Sequence, residues 1–233
     1  MNTSENNYIV ATIKDWNIEN FNLHTKNIPG NWHLLTTPES LTIETLTTLN
    51  PRYIFFPHWS WLVPEEILAI FDCVCFHMTD LPYGRGGSPL QNLILRGHTE
   101  TKISALKMEK SLDTGPIYLK VPLSLNGNAQ SIFIDCSKKI FEMIRLIVEL
   151  EPCPIPQAGS VTEFKRRLPS QSEIPNNLPV LETYDFIRML DADTYPNAFI
   201  NHGDILITFS DATLTSADEL ITQAKITARD PRK

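Results

Sequence analysis

The sequence predicts an α/β fold built on a mostly parallel sheet, followed by a smaller C-terminal segment. Three observations carry that expectation. Short β-branched and aromatic runs alternate with helix-like stretches. Between Gln130 and Leu150, apolar residues fall at 132, 133, 136, 140, 143, 144, 147 and 148, the spacing of a long amphipathic helix. Pro152, Pro154 and Pro156 then break the pattern. The boundary is therefore placed there, with a main domain over 1–156 and a small C-terminal subdomain over 157–233.

Taken in order, Tyr8–Ile13 reads as the first strand and Trp32–Thr36 as the second. Thr37 and Pro38 serve as entry signals for a helix starting near Glu39. Arg52–Phe56 is a third strand, ended by Pro57, and Pro64 opens a helix running through Ile70. Val74–Met78 is a short central strand. Ser88 and Pro89 cap and start a helix that reaches Arg96 and is closed by Gly97. Lys102–Met108 and Ile117–Pro122 are strands flanking a loop with Asp113. Beyond the prolines, a helix is expected near Tyr184–Leu190, a strand near Ile205–Phe209 and a frayed end at Arg229–Lys233. The first strand is not followed by a Gly-x-Gly-x-x-Gly turn, so no dinucleotide fingerprint is present.

Composition narrows the function classes. A net charge of −7 argues against broad contact with a phosphate backbone, which needs a basic face. Four cysteines, at 73, 75, 136 and 153, are too few and scattered for a disulfide framework, and no second ligand pair stands at metal spacing. Cys73 and Cys75 alternate along one apolar strand and read as reduced core residues. The polar start, Met1–Asn7, and the lack of a span-length apolar run predict a cytoplasmic protein without signal peptide or membrane contact.

The chemistry concentrates between residues 75 and 117. His77 ends an apolar strand, a glycine-rich loop (Tyr83, Gly84, Arg85, Gly86, Gly87) opens a helix, and Asp113 sits in a Leu-Asp-Thr-Gly turn. A His/Asp pair on loops after strands suits moving a proton during attack on a carbonyl carbon. Imidazole ordinarily titrates near neutrality, as that task requires. Upstream, Pro57-His58-Trp59-Ser60-Trp61-Leu62 places two indoles beside a predicted cleft, which favours a flat ring as ligand. No Gly-x-Ser-x-Gly nucleophile signature is present, which disfavours a simple hydrolase.

Cys75-Phe76-His77, Thr79, Leu81-Pro82, Arg85-Gly86, Pro89, Gly97, Thr101, Met108 and Asp113-Thr114-Gly115 follow one another in a family order. That order resembles the N10-formyltetrahydrofolate-dependent formyltransferases, over roughly residues 50–200. The resemblance implies a Rossmann-like catalytic domain, with N10-formyltetrahydrofolate as cosubstrate. It implies that His77 moves the proton and that Asp113 lies beside it and assists. His58, Trp59, Trp61, Leu62 and Asp113 are the residues expected at the folate. Thr79, Tyr83, Arg85 and Gly86 are those expected at the acceptor. One departure stands out: Cys75 replaces the family asparagine that hydrogen-bonds the developing oxyanion, and a thiol is a weak donor. His58 and Thr79 are candidate substitutes.

Phe164–Pro169, Ile187–Ala192 and Tyr195–Phe199 resemble segments shared by sugar N-formyltransferases and the tRNA-directed branch. The acidic balance and the early end of the chain set the expectation against nucleic acid. The favoured acceptor is then the amine of a nucleotide-linked amino sugar in bacterial surface-glycan biosynthesis, such as a pseudaminic acid precursor. A homodimer through the C-terminal segment is expected from relatives. The alternatives are an aminoacyl or peptidyl amine as acceptor, or a folate-binding relative that has lost activity.

Overall fold

In the computed structural model, residues 6–193 and 195–229 are described; the readings of the polar Met1–Asn7 start and of the Arg229–Lys233 end fall largely outside them. In chain order the elements are β1 (Asn7–Ala11), α1 (Asp15–His24), β2 (Asn31–Leu35), α2 (Ile43–Leu49), β3 (Pro51–Phe56), α3 (Glu65–Ile70) and β4 (Cys73–His77). There follow β5 (Arg85–Gly86), α4 (Pro89–Ile94), β6 (Glu100–Lys107), β7 (Ile117–Ser124), α5 (Ala129–Leu150) and β8 (Glu163–Phe164). The chain continues with α6 (Val180–Arg188), β9 (Ala198–His202), β10 (Ile205–Ser216) and β11 (Glu219–Ala228).

The described residues form a six-stranded sheet in the order β2-β1-β3-β4-β6-β7. The pairs β1–β2, β1–β3 and β3–β4 are parallel, and β4–β6 is antiparallel. This is the α/β class expected, with a smaller antiparallel sheet β9-β10-β11 toward the C-terminus. Two compact units emerge: residues 1–86, 101–123 and 134–163 form one, and 87–100, 124–133 and 164–233 the other.

Strand alternation explains the core of the first unit. Ile9, Ala11, Ile54 and Phe56 point to one face, where they bury against Leu41, Leu46, Val63 and Ile67. Tyr8, Tyr53 and Phe55 point to the other, where Trp32 stacks on Tyr8 at 4.8 Å and lies 6.1 Å from Phe55. The strands β1, β3 and β4 are almost wholly buried because parallel strands are covered on both faces.

Several elements differ from the sequence expectation. The helix placed near Glu39 begins at Ile43; Pro38–Ser40 is a 3₁₀ turn, and the true cap is Thr42, whose Oγ1 accepts from the Thr45 N–H at 3.1 Å. Helix α4 stops at Ile94, two residues before Arg96. Helix α6 starts at Val180 behind Pro179, earlier than Tyr184. Helix α1 was not expected at all. Its inward positions include Asn17 and Asn20, both buried, so it carries no apolar stripe. Asn20 instead donates to Trp16 O at 2.8 Å and to Ser137 Oγ on α5 at 2.9 Å. Among the described residues, no helix is long and apolar enough to cross a membrane.

Candidate active site

Three carboxyl ends of parallel strands build the site: Thr12 after β1, Pro57 after β3 and His77 at the end of β4. Ligands of open α/β sheets bind at such ends. Thr12 Oγ1 donates to the Pro57 carbonyl at 2.7 Å, which ties the first two ends together. The antiparallel register of β6 against β4 sets Ser104 opposite His77. Ser104 Oγ donates to Thr79 O at 2.7 Å and accepts from the Leu81 N–H at 3.3 Å, fixing the turn that follows His77.

His77 and Asp113, far apart in sequence, meet here. Their side chains are each 9% exposed, and Nδ1 of the imidazole lies 3.6 Å from Asp113 Oδ2. The other ring nitrogen, Nε2, is 2.7 Å from the carbonyl of Gly84. A carbonyl can only accept, so Nε2 carries the proton and donates it. In the neutral ring this leaves the lone pair on Nδ1, the side that faces Asp113. A proton arriving at Nδ1 would make an imidazolium directly beside a buried carboxylate, where such attraction is strongest. Asp113 itself sits in the left-handed region (φ 56°), a conformation that Asp and Asn tolerate better than most residues. Its Oδ2 also accepts from the Gly86 N–H at 2.9 Å. A side chain on Gly115 would run into the Lys107 carbonyl, which explains the glycine two residues on.

The remaining expected positions divide. Gly86 and Arg85 belong to this cluster. The Arg85 guanidinium donates through Nε and Nη2 to Gln157 Oε1, at 3.2 and 2.8 Å. Gln157 in turn donates from Nε2 to the carbonyls of Asp113 and Gly115, both at 2.8 Å. Sequence reading passed over Gln157, since a polar residue in a proline-rich stretch carries no periodic signal. Thr79 is fully buried, and its hydroxyl lies 3.4 Å from the same Gly84 carbonyl that receives His77. Tyr83 is half-buried in the intervening loop.

Cys75 is a free thiol, half-buried, one strand residue pair before His77. Burial pushes its pKa far up, and the Asp113 carboxylate nearby adds to the rise. The thiol is therefore protonated at neutral pH and is no thiolate nucleophile.

The loop after β3 is anchored from below and open above. Asn17 Nδ2 lies 3.0 Å from Thr12 Oγ1, 3.2 Å from Pro57 O and 3.2 Å from His58 Nδ1. Trp59 packs on the core side, 5.9 Å from Phe56 and 5.0 Å from Trp61. Trp61 and Leu62 are exposed, Leu62 by 90%. The indole N–H of Trp59 is buried with no hydrogen-bond partner among the described residues.

His58 as a whole is half-buried, but its Nε2 is shielded from solvent. Burial, with a smaller contribution from the Lys14 ammonium, pushes its pKa down from 6.5 to about 4. Between those values the unfolded chain binds a proton that the folded chain refuses, so stability falls as pH drops from 6.5 toward 4. The expected loss is about 1–3 kcal/mol. Denaturant midpoints at pH 7 and pH 4.5 should show His58→Gln losing less over that interval than the parent; equal losses would contradict the assignment.

Residues 169–227 match the family described as methionyl-tRNA formyltransferase, C-terminal domain. The chain is 30% identical over 139 residues to the methionyl-tRNA formyltransferase of Dictyoglomus turgidum, covering 56% of this chain and 44% of that protein. It thus spans about half the length of the curated relatives it matches. A solved methionyl-tRNA formyltransferase from Clostridium thermocellum superposes with a TM-score of 0.93 at 46% identity, over 96% of this chain and all of that one. A 4-N formyltransferase from Francisella tularensis shares the fold, with a TM-score of 0.68 at 14% identity over 85% of this chain and 93% of that one. The sugar N-formyltransferases gain no specific support, and the C-terminal segment, whose motifs resemble those of both branches, matches the model of the methionyl-tRNA formyltransferase C-terminal domain. The likeness also reaches beyond residues 50–200. With the buried His/Asp pair at the strand ends and 46% identity across a whole solved chain, the chain belongs to the formyltransferase family.

Proposed function

We propose that the protein transfers a formyl group from N10-formyltetrahydrofolate to the primary amine of an aminoacyl ester, of the kind methionyl-tRNA carries. The observation that carries the reaction is the seating of His77: Nε2–H is committed to Gly84, which leaves Nδ1, beside Asp113, as the nitrogen that can accept a proton in the neutral ring. The likeness to a methionyl-tRNA formyltransferase at 46% identity supports the acceptor. His77 Nδ1 takes a proton from the attacking amine as the new C–N bond forms. The imidazolium is held by Asp113 and returns the proton to the folate nitrogen as the old C–N bond breaks. Trp59, Trp61 and Leu62 offer the surface for the folate ring, and His58, neutral by burial, helps shape their loop. Arg85 and Gly86 hold the acceptor side of the pair, with Thr79 and Tyr83 supporting their loop.

One observation favours a second reading. A net charge of −7 gives no general attraction to a polyanion, which suits a small amine such as a nucleotide-linked amino sugar better than a tRNA. A panel with N10-formyltetrahydrofolate as donor separates the two: methionyl-tRNA, a small aminoacyl ester, and nucleotide-linked 3-amino and 4-amino sugars. Formylation of the aminoacyl amines is expected. Formylation of a sugar alone would replace this reading with the second, and folate binding without any turnover would mean a relative that has lost activity.

Cys75 tests the oxyanion side. The loss of an oxyanion donor costs about 3–4 kcal/mol in other acyl-transfer sites. Cys75→Asn restores an amide donor at a half-buried position, so kcat should stay equal or rise. A fall in kcat with folding intact would show that another group already fills that role and that the amide disturbs it.

A further inference from the structure

We propose that Gln157 is the positioning residue of the His77–Asp113 pair. Its side-chain amide uses its whole hydrogen-bonding capacity on two loops. Nε2 donates to the Asp113 and Gly115 carbonyls, and Oε1 accepts twice from Arg85. The amide therefore clamps the left-handed Asp113 turn to the Arg85–Gly86 strand. The same two segments meet again where the Gly86 N–H reaches Asp113 Oδ2. The clamp and that bond together hold the carboxylate 3.6 Å from His77 Nδ1.

The backbone on both sides of Gln157 is pinned, so the amide is not a chance surface contact. On one side, Ile155 and Ile117 exchange two backbone hydrogen bonds at 2.8 Å. On the other, the Thr162 carbonyl accepts from the Gly84 and Arg85 N–H groups at 2.9 and 3.0 Å. Gly84 also supplies the carbonyl that fixes the His77 tautomer. A segment with exposed residues at 155, 156 and 158–160 is thereby tied to every loop that orients the pair. Its one inward group at this point is Gln157.

Gln157→Glu keeps the acceptors for Arg85 but turns an N–H donor into an oxygen facing two carbonyls; Gln157→Leu removes all four bonds. The kinetic part of the test rests on the formyl-transfer reading, and the structural part does not. In the substrate-free protein, the Gly86 amide proton should shift in its NMR resonance and exchange faster in both variants. In turnover, kcat should fall about 10–100-fold with KM within about twofold, the signature of a misplaced catalytic group. Adding Gln157→Glu to Asp113→Asn should cost less than about twofold more, because the glutamine acts through the aspartate. An unchanged Gly86 amide, or full additivity of the two substitutions, would overturn the proposal. A shifted Gly86 amide in a protein whose wild type transfers no formyl group would leave the clamp standing and remove the assigned reaction. Should Gln157→Leu not fold, Gln157→Glu gives the same readouts.

Discussion

His77→Asn lowers formyl transfer by about 10²–10⁴-fold, the usual contribution of a positioned general acid–base group. Asparagine has the polarity to sit in the same 9% exposed position, so the strand end and its neighbours survive. What disappears is a lone pair that can take a proton and give it back. The carboxamide is not basic at neutral pH, and Asp113 then faces a neutral group. Steady-state kinetics checks this, with near- and far-UV circular dichroism as the control for folding. Turnover within about threefold of the parent would exclude His77 from proton transfer, whatever else the site does.

Asp113→Asn should slow transfer by about 10²-fold, and the choice of asparagine makes the loss informative. Asparagine accepts the left-handed backbone that residue 113 adopts. Its Oδ1 can still receive the Gly86 N–H. The turn therefore holds, and only the negative charge beside Nδ1 is lost. With no buried carboxylate to meet it, the imidazolium form of His77 loses its stabilising neighbour. The deficit should appear in kcat far more than in KM, since the charge matters only once the proton has moved. A change confined to KM would make Asp113 a ligand contact rather than a partner of the histidine.

Much of the sheet was legible because its strands are apolar for a simple physical reason. β1, β3 and β4 are covered on both faces, so they stand out as continuous runs, and α5 stands out by its periodicity. Helix α1 was illegible because it buries Asn17 and Asn20, whose amides are satisfied only in three dimensions. The strand β11 was missed because it is an outer strand exposed along most of its length, so polar residues interrupt the alternation, and β9 because it is short. At the site, His77 and Asp113 were found through the family order of motifs. Their pairing, between residues far apart in sequence, has no local signature. Gln157 had neither pattern nor motif to mark it, and its two donated and two accepted bonds are visible only once the loops are folded.

The most direct test of the central claim is a single-turnover experiment with methionyl-tRNA and N10-formyltetrahydrofolate, following tetrahydrofolate release and acceptor formylation together in the parent and in His77→Asn. The account predicts that the parent releases one tetrahydrofolate for each amine formylated, and that the variant does neither on the same timescale. Release of tetrahydrofolate with free formate and no formylated amine, or equal transfer by the variant, would contradict it.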